Sequence, residues 1–370
     1  MIKTNNHIIL FLIVLSIIFF GSFLMYSASS SFAYYKFNRA DTYFLFKHFL
    51  WLLIGMAGLF SLSFINHYVL KKHHKIILFF AWFLMLIPIL LNLGHSSIDR
   101  WLKIGNFTLM TTSDFGKLAI IIFMASFIDQ YHQKINDSKI LINKLLPYLL
   151  ITIGLIVYQP DLSTSIVLCS IIFSLLYVAG INQKLILSFA IMGLISFLSI
   201  ISIFPYQKLR LFIWLGFEEA NNQASNSVLA LANGGLIGKG IGDSIFKYNG
   251  FIPEGQTDFI LAIIGEELGF FGICVIFILF IGLFFQGLNI SKQCSDRFSM
   301  FLSMGITINI FFYLMVNSAY VVGILPTTGL PVPFISYGGS QTIFSLLSIG
   351  ILISISRNNN KNSNIKYYYG

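Results

Sequence analysis

The sequence predicts an all-α, polytopic membrane protein with about ten transmembrane helices, and three observations carry that reading. First, 56% of the 370 residues are hydrophobic and 10% are charged, with a mean hydropathy of +0.82. A water-soluble domain carries roughly a quarter charged residues, so lipid must cover much of this surface. Second, apolar runs of span length recur along nearly the whole chain. Third, the cations are shared unequally between alternate connections.

A span needs about 20 mostly apolar residues. Candidate runs lie near 8–28, 45–66, 76–94, 116–130, 145–159, 162–180, 184–204, 258–287, 300–325 and 339–356. The fourth and fifth are short and extend into their flanks. The first starts near His7 and reaches about Ser27. It lacks a small-x-small cleavage site followed by a soluble domain, so it reads as a membrane helix and not as a signal peptide.

With the N-terminus inside, the cytoplasmic segments hold Lys3, Lys71, Lys72, Lys75, Lys134, Lys139, Lys144, Lys184, Lys292, Arg297, Arg357, Lys361 and Lys366. The short external loops hold only Lys36, Arg39, Arg100 and Lys103. This asymmetry follows the positive-inside rule and favours an even number of spans, with both termini cytoplasmic in the inner membrane. The net charge of +9 is then a topology signal, and nucleic-acid binding is not expected. Cys169, Cys274 and Cys294 have no metal-ligand spacing, so neither a disulfide nor a metal–thiolate site is expected. No internal repeat supports an inverted-repeat transporter.

The chain thus divides into one transmembrane domain, 1–357, and an Asn/Lys-rich tail, 358–370, expected to be disordered. A single long external loop, about 205–257, separates the seventh and eighth spans. Connections of that length are functional or disordered. Apolar stretches at Ser227–Ala232 and Leu236–Ile241 predict that this one is partly structured.

Four polar clusters stand at the outer ends of the spans. The first joins Asp99-Arg100-Trp101-Leu102-Lys103 to Ser113-Asp114-Phe115-Gly116-Lys117. Arg100 and Lys103 suit a diphosphate. Trp101 suits a membrane interface or a sugar face. Lys117 begins a span, where an unpaired charge is costly, and Asp114 three residues earlier is its natural helical neighbour. The second cluster, Tyr158–Thr164, contains Asp161, best read as a helix N-cap.

The third cluster runs from Pro253-Glu254 through Asp258 to Gly265-Glu266-Glu267-Leu268-Gly269. Asp258 stands where the long loop re-enters the membrane. A partly desolvated carboxylate there is either a general base or another N-cap, and spacing alone does not choose. Glu266 and Glu267 lie about two turns into a span and should pair with Arg or Lys of a neighbouring helix. The fourth cluster, Leu325–Ser340, is dense in Pro and Gly and includes Ser336 and Ser340. Broken backbone at membrane depth must line protein or a wet cavity.

These clusters, in this order, resemble the SEDS family (shape, elongation, division and sporulation proteins, the RodA/FtsW type). The resemblance runs from the first span to about Arg357. Its most specific pieces are the runs Pro253–Ile260, Gly265–Gly269 and Pro326–Ser340, with Asn317 and Gly323 leading into the last. It implies ten membrane helices and a peptidoglycan glycosyltransferase that polymerises lipid II beside a monofunctional class B penicillin-binding transpeptidase of the divisome or elongasome. By the same resemblance Asp258 is the essential aspartate, Arg100 and Trp101 the Arg-Trp pair, and Lys117 the lysine of a Ser-Glu-x-x-Lys motif. Tyr206 and Arg210 match the opening of the large loop.

The chain departs from the family pattern at Thr111-Thr112-Ser113-Asp114 (usually Gln-Pro-Ser-Glu), at Ser163 (usually Gly) and at Gln256 (commonly His). Gly242-Asp243-Ser244, Lys247 and the Gly265–Gly269 run look more like the division type than the elongation type.

The implied chemistry is inverting transfer. Asp258 takes the proton of the acceptor 4-hydroxyl, that oxygen attacks C1 of the donor, and undecaprenyl diphosphate leaves. Arg100, Lys103, Lys117 and Arg210 are the cations available to the departing diphosphate. A divalent cation could assist, although no all-protein metal cage is visible. The rival is a lipid II flippase, which would place charges near the bilayer midplane. Here polar residues gather at the outer ends, apart from Glu266 and Glu267. A scaffold that only recruits division proteins would tolerate loss of the Asp258 charge.

Overall fold

A computed structural model of the chain describes residues 5–37, 40–91, 101–104, 107–217, 223–248, 251–252 and 255–369. Arg100 and Glu254 lie outside the described residues, as do the side chains of Lys103, Tyr206 and 360–369. The elements begin with α1 (Asn6–Phe37), α2 (Tyr43–Phe64) and α3 (Tyr68–Leu91). A hairpin of β1 (Trp101–Ile104) and β2 (Phe107–Thr111) leads to α4 (Thr112–Tyr131). Short α5 (Ser138–Ile140) passes through a π turn, Leu141–Leu145, into α6 (Leu146–Tyr158), followed by α7 (Leu162–Val178) and α8 (Gln183–Ile203). The long loop contains α9 (Pro205–Trp214), α10 (Gln223–Gly234) and α11 (Ile245–Tyr248). The chain closes with α12 (Ile260–Lys292), α13 (Arg297–Val321) and α14 (Gly339–Tyr369). The backbone of α14 thus continues through the stretch expected to be a disordered tail.

Among the described residues, seven helical segments are long and apolar enough to cross a membrane: α1, α2, α3, the run from α5 to α6, α12, α13 and α14. The protein is a multi-pass membrane protein. The other three expected spans are occupied by α4, α7 and α8. Helix α4 carries Asp114, Lys117 and Asp129, which explains its weaker apolar signal, and it is buried almost throughout from Thr112 to Ile128.

Burial sorts the bundle into centre and rim. The apolar stretch of α14 is 78% buried and that of α13 61%, against 22% for α2 and for the run from α5 to α6. Helix α13 packs on α4 and α12, α14 packs on α2, and α3 packs on α4. The rim helices keep large apolar side chains outward, such as Phe46, Leu53 and Phe83. That is the arrangement lipid demands, since tails satisfy no polar group.

The hairpin was not expected, yet its signal is present in the sequence. In sequence, Gly105-Asn106 separates two runs of strand formers, and in the fold Ile104 pairs with Phe107. A register irregularity between Leu102 and Lys103 kinks the ribbon.

The long loop also departs from a simple external excursion. Its second half folds back onto α12, and the irregular stretch after α10 bonds to the α12 backbone. Lys239 and Gly240 donate their amides to the carbonyls of Glu266 and Glu267 at 2.9 and 3.0 Å, while Phe270 and Phe271 donate theirs to Gly235 and Leu236. The exchange is possible because Gly269, at φ 65°, interrupts α12. A Cβ at Gly238 would lie 2.2 Å from the Glu267 carbonyl oxygen, so only glycine permits this approach. The contact sits about 15 Å along α12 from its start. Irregular backbone survives at that depth because its polar groups are met by protein.

Candidate active site at the outer ends of the helices

Six segments converge at one end of the bundle: the starts of α4 and α7, helix α9, the lead-in to α12, the end of α13, and the segment Leu325–Gly338 before α14. That last segment cannot be helical, given Pro326, Pro331 and Pro333. It turns through positive φ at Gly329 (71°) and Phe334 (66°). Side chains fasten it at every step. Arg210 Nη1 donates to the Thr327 carbonyl at 3.0 Å, and Ser163 Oγ to the Thr328 carbonyl at 2.7 Å. Ser336 Oγ accepts from the Val332 amide at 2.9 Å, and Gln341 Nε2 donates to the Pro331 carbonyl at 2.9 Å.

Asp258 lies in the turn just before α12, half-buried, with its carboxylate toward this segment. A Cβ at Gly329 would stand 3.2 Å from Asp258 Oδ2. Its backbone is clamped from α13. The Asp258 carbonyl accepts from Asn317 Nδ2 at 2.8 Å and from the Tyr320 hydroxyl at 2.6 Å. The same two side chains reach the Leu330 carbonyl, at 2.6 and 3.1 Å. One pair of residues therefore sets the distance between the aspartate turn and the Pro/Gly segment. The residue directly preceding α12 is Phe259, and its side chain forms no cap bond there.

A second, fully buried network lies beside it. Lys117 Nζ pairs with Asp114 Oδ1 at 2.7 Å and contacts the Tyr313 hydroxyl. Ser340 Oγ donates to Asp114 Oδ2 at 2.7 Å and accepts from the Thr111 amide at 3.1 Å. A small polar cavity lined by Asp114, Lys117, Asn309, Tyr313, Gln341 and Ser345 adjoins this network, polar enough to hold water. The shorter aspartate thus reaches its lysine without the extra methylene of glutamate. Asp161 caps α7 by accepting from the Thr164 amide at 3.3 Å, and it also accepts from Ser113 Oγ at 2.9 Å. Trp101, 37% exposed, stands on β1 at the same end.

Glu266 and Glu267 are 0% and 1% exposed and belong to the fold-back. Glu267 pairs with Lys247 at 2.7 Å and accepts from Ser27 Oγ at 2.7 Å. The expected cation of a neighbouring helix comes from α11, a short helix of the long loop. Among the described residues Glu266 forms no ion pair. Instead it accepts from Ser244 Oγ, from Asn233 Nδ2 at 2.7 Å, and from the amides of Ile245 and Phe246. These carboxylates pin the loop to α12.

Sequence reasoning passed over Tyr313 and Tyr320. Their signal was spacing: Tyr313, Asn317 and Tyr320 stand four and three residues apart, one face of a helix that otherwise looks apolar. Among the described residues, no group of three His, Cys, Asp or Glu side chains gathers closely enough to hold a metal ion.

Residues 7–361 match the family described as "Cell cycle protein", the FtsW, RodA and SpoVE group. Stage V sporulation protein E of Bacillus subtilis is 31% identical over 96% of this chain and 98% of its own length. The probable peptidoglycan glycosyltransferase FtsW of Trichlorobacter lovleyi is 32% identical over 94% of this chain and 92% of its own. Among solved structures, a chain of a peptidoglycan synthase complex superposes with a TM-score of 0.74 at 21% identity, covering 95% of this chain and 97% of the other. The rod shape determining protein RodA of Thermus thermophilus gives 0.69 at 20% identity over 95% and 96%. The fold, the ordered motifs and the near full-length match agree, and the chain belongs to the FtsW/RodA/SpoVE family, the SEDS proteins.

Proposed function

We propose that the protein is a peptidoglycan glycosyltransferase that polymerises lipid II into glycan strands, with Asp258 as general base. One observation carries this reading. The Asp258 carboxylate is half-buried at the end of the bundle, on a backbone clamped by Asn317 and Tyr320, facing a Pro/Gly segment that Arg210 also grips. A fixed, partly desolvated carboxylate beside a wet surface is what proton removal from a sugar hydroxyl needs.

The acceptor 4-hydroxyl loses its proton to Asp258 as its oxygen forms the bond to C1 of the donor. The C1–oxygen bond to undecaprenyl diphosphate breaks, and the pair of electrons leaves with the diphosphate. One displacement inverts the anomeric carbon, so no covalent sugar–enzyme intermediate is needed. Arg210 holds the Pro/Gly segment that Asp258 faces and is available to this path, and Arg100 and Lys103 precede and occupy β1 in the chain. Lys117 is committed to Asp114 and Tyr313, so it acts by holding the α4 end in place. A divalent cation, where one takes part, would arrive on the diphosphate and meet one or two carboxylates.

The relatives named FtsW and SpoVE support a division or sporulation role over elongation, and fluorescence at midcell against lateral wall tests it. The similarity to a chain of a peptidoglycan synthase complex supports a class B transpeptidase partner. The cation asymmetry supports an inner-membrane protein with Asp258 on the periplasmic side.

The test is polymerisation of fluorescent lipid II by the full chain with its transpeptidase partner. Asp258→Asn should lower the rate about 10²- to 10⁴-fold. Polymer made at the wild-type rate removes the base. The small polar cavity beside Asp114 and Lys117 is a feature a transport path would use, so translocation is assayed on the same preparation.

A further inference from the structure

At the end of the bundle opposite Asp258, a groove lies between α1 and the closely packed pair α2 and α14. The groove is open, with a volume of about 230 Å³, walled by Phe11, Leu59, Phe60 and Ile353 and headed by His7 and Arg357. Its rim faces the bilayer, with Ile8, Phe60 and Phe64 exposed. The Arg357 guanidinium lies 4.8 Å from the Phe64 ring centroid, at the junction of apolar wall and polar surface. None of the described residues lining the groove is a carboxylate, and none of the described ion pairs involves Arg357. His7 Nδ1 is buried with no hydrogen-bond partner among the described residues. In sequence, Lys3 and Lys361 flank the two head residues.

A guanidinium above an apolar slot at the membrane boundary matches one ligand class closely. A phosphate takes paired hydrogen bonds from arginine, and an acyl chain fills the slot. Neutral surroundings would leave the arginine charge costly at that depth. We propose that this groove seats one anionic glycerophospholipid of the leaflet at that end, the cytoplasmic leaflet by the charge rule. Its phosphate lies on Arg357 and His7, and an acyl chain runs along Phe11, Leu59 and Phe60. Charge complementarity selects an anionic lipid over a zwitterionic one of equal chain length. The site is remote from Asp258 and does not depend on the catalytic reading.

The test is native mass spectrometry of the intact chain with dioleoyl phosphatidylglycerol or dioleoyl phosphatidylcholine. Wild type should retain one phosphatidylglycerol under activation that strips phosphatidylcholine. Arg357→Gln should weaken that retention roughly fivefold, and Arg357→Lys should keep most of it. Should Arg357→Gln fail to fold, Ile353→Trp keeps the charge, fills the slot and should show the same loss. Equal retention of the two lipids by wild type overturns the proposal. So does wild-type retention by both Arg357→Gln and Ile353→Trp, or displacement of the lipid by millimolar inorganic phosphate.

Discussion

Asp258 and the pair Glu266–Glu267 lie within about three turns of one another along the same stretch of chain, yet their surroundings are opposite. Each buried glutamate is saturated, Glu267 by Lys247 and Ser27, Glu266 by two side chains and two backbone amides. Asp258 instead has its backbone held tightly while its carboxylate stands partly open at the end of the bundle. A carboxylate whose lone pairs are all engaged inside protein is structural. One that is half-buried and positioned through its main chain still meets solvent, as proton exchange requires.

The largest effect that separates the two regions is Asp258→Asn, whose polymerisation loss should come with an unfolding midpoint close to wild type, as for a near-isosteric change at a half-buried position. Lys247→Met should do the reverse in kind. It strands the Glu267 charge in the interior and should cost about 3–5 kcal/mol in thermal or denaturant unfolding. Adding Glu267→Gln to Lys247→Met should recover much of that loss, because the amide oxygen still accepts from Ser27. Additive losses in the double variant would break the pairing argument.

A smaller change sharpens the positional half of the comparison. Asn317→Leu removes the donor shared by the Asp258 and Leu330 carbonyls but leaves the Tyr320 hydroxyl on both. The expected stability loss is about 1–3 kcal/mol. Turnover should fall roughly tenfold to a hundredfold with KM little changed, since misplacing a catalytic group by about 1 Å has that cost. Unaltered turnover would mean that the carbonyl clamp does not set the carboxylate.

How much of this was legible in the sequence differs between the two regions for physical reasons. The spans were readable because lipid imposes a long apolar run on each. The Asp114–Lys117 pair and the Asp161 cap were readable because both are local, three residues apart on a helix or at its start. The fold-back of the long loop was not. It depends on Gly238 meeting the interruption at Gly269, a backbone contact between distant segments that composition does not encode. For the same reason Lys247 could be counted as a loop cation but not matched to Glu267. Tyr320 was hidden because a buried tyrosine in an apolar helix reads as core until its hydroxyl is seen to hold a carbonyl.

The weakest expected effect tests the opposite end of the bundle. His67, between α2 and α3, is buried. Its Nε2 lies 2.7 Å from Ser299 Oγ, and its Nδ1 lies 3.3 Å from Asn358 Nδ2. The amide of Asn358 can only donate to Nδ1, so the network assigns the proton of a neutral ring to Nε2, which donates to Ser299. Burial holds the imidazole down to about 4 from 6.5, with nearby Asp296 opposing the shift. The folded state therefore binds fewer protons than the unfolded chain between those values. Stability from this group is complete above pH 6.5 and is lost as pH falls toward 4. Asp296 itself is held below its usual value, so its own contribution fails only lower, beneath about 3.8. His67→Gln can still reach Ser299 and does not titrate. Its unfolding midpoint should fall less than that of wild type between pH 6.5 and 4. Parallel midpoints across that window would mean that the histidine is as easily protonated in the fold as outside it, and that this end of the bundle is wetter than its packing indicates.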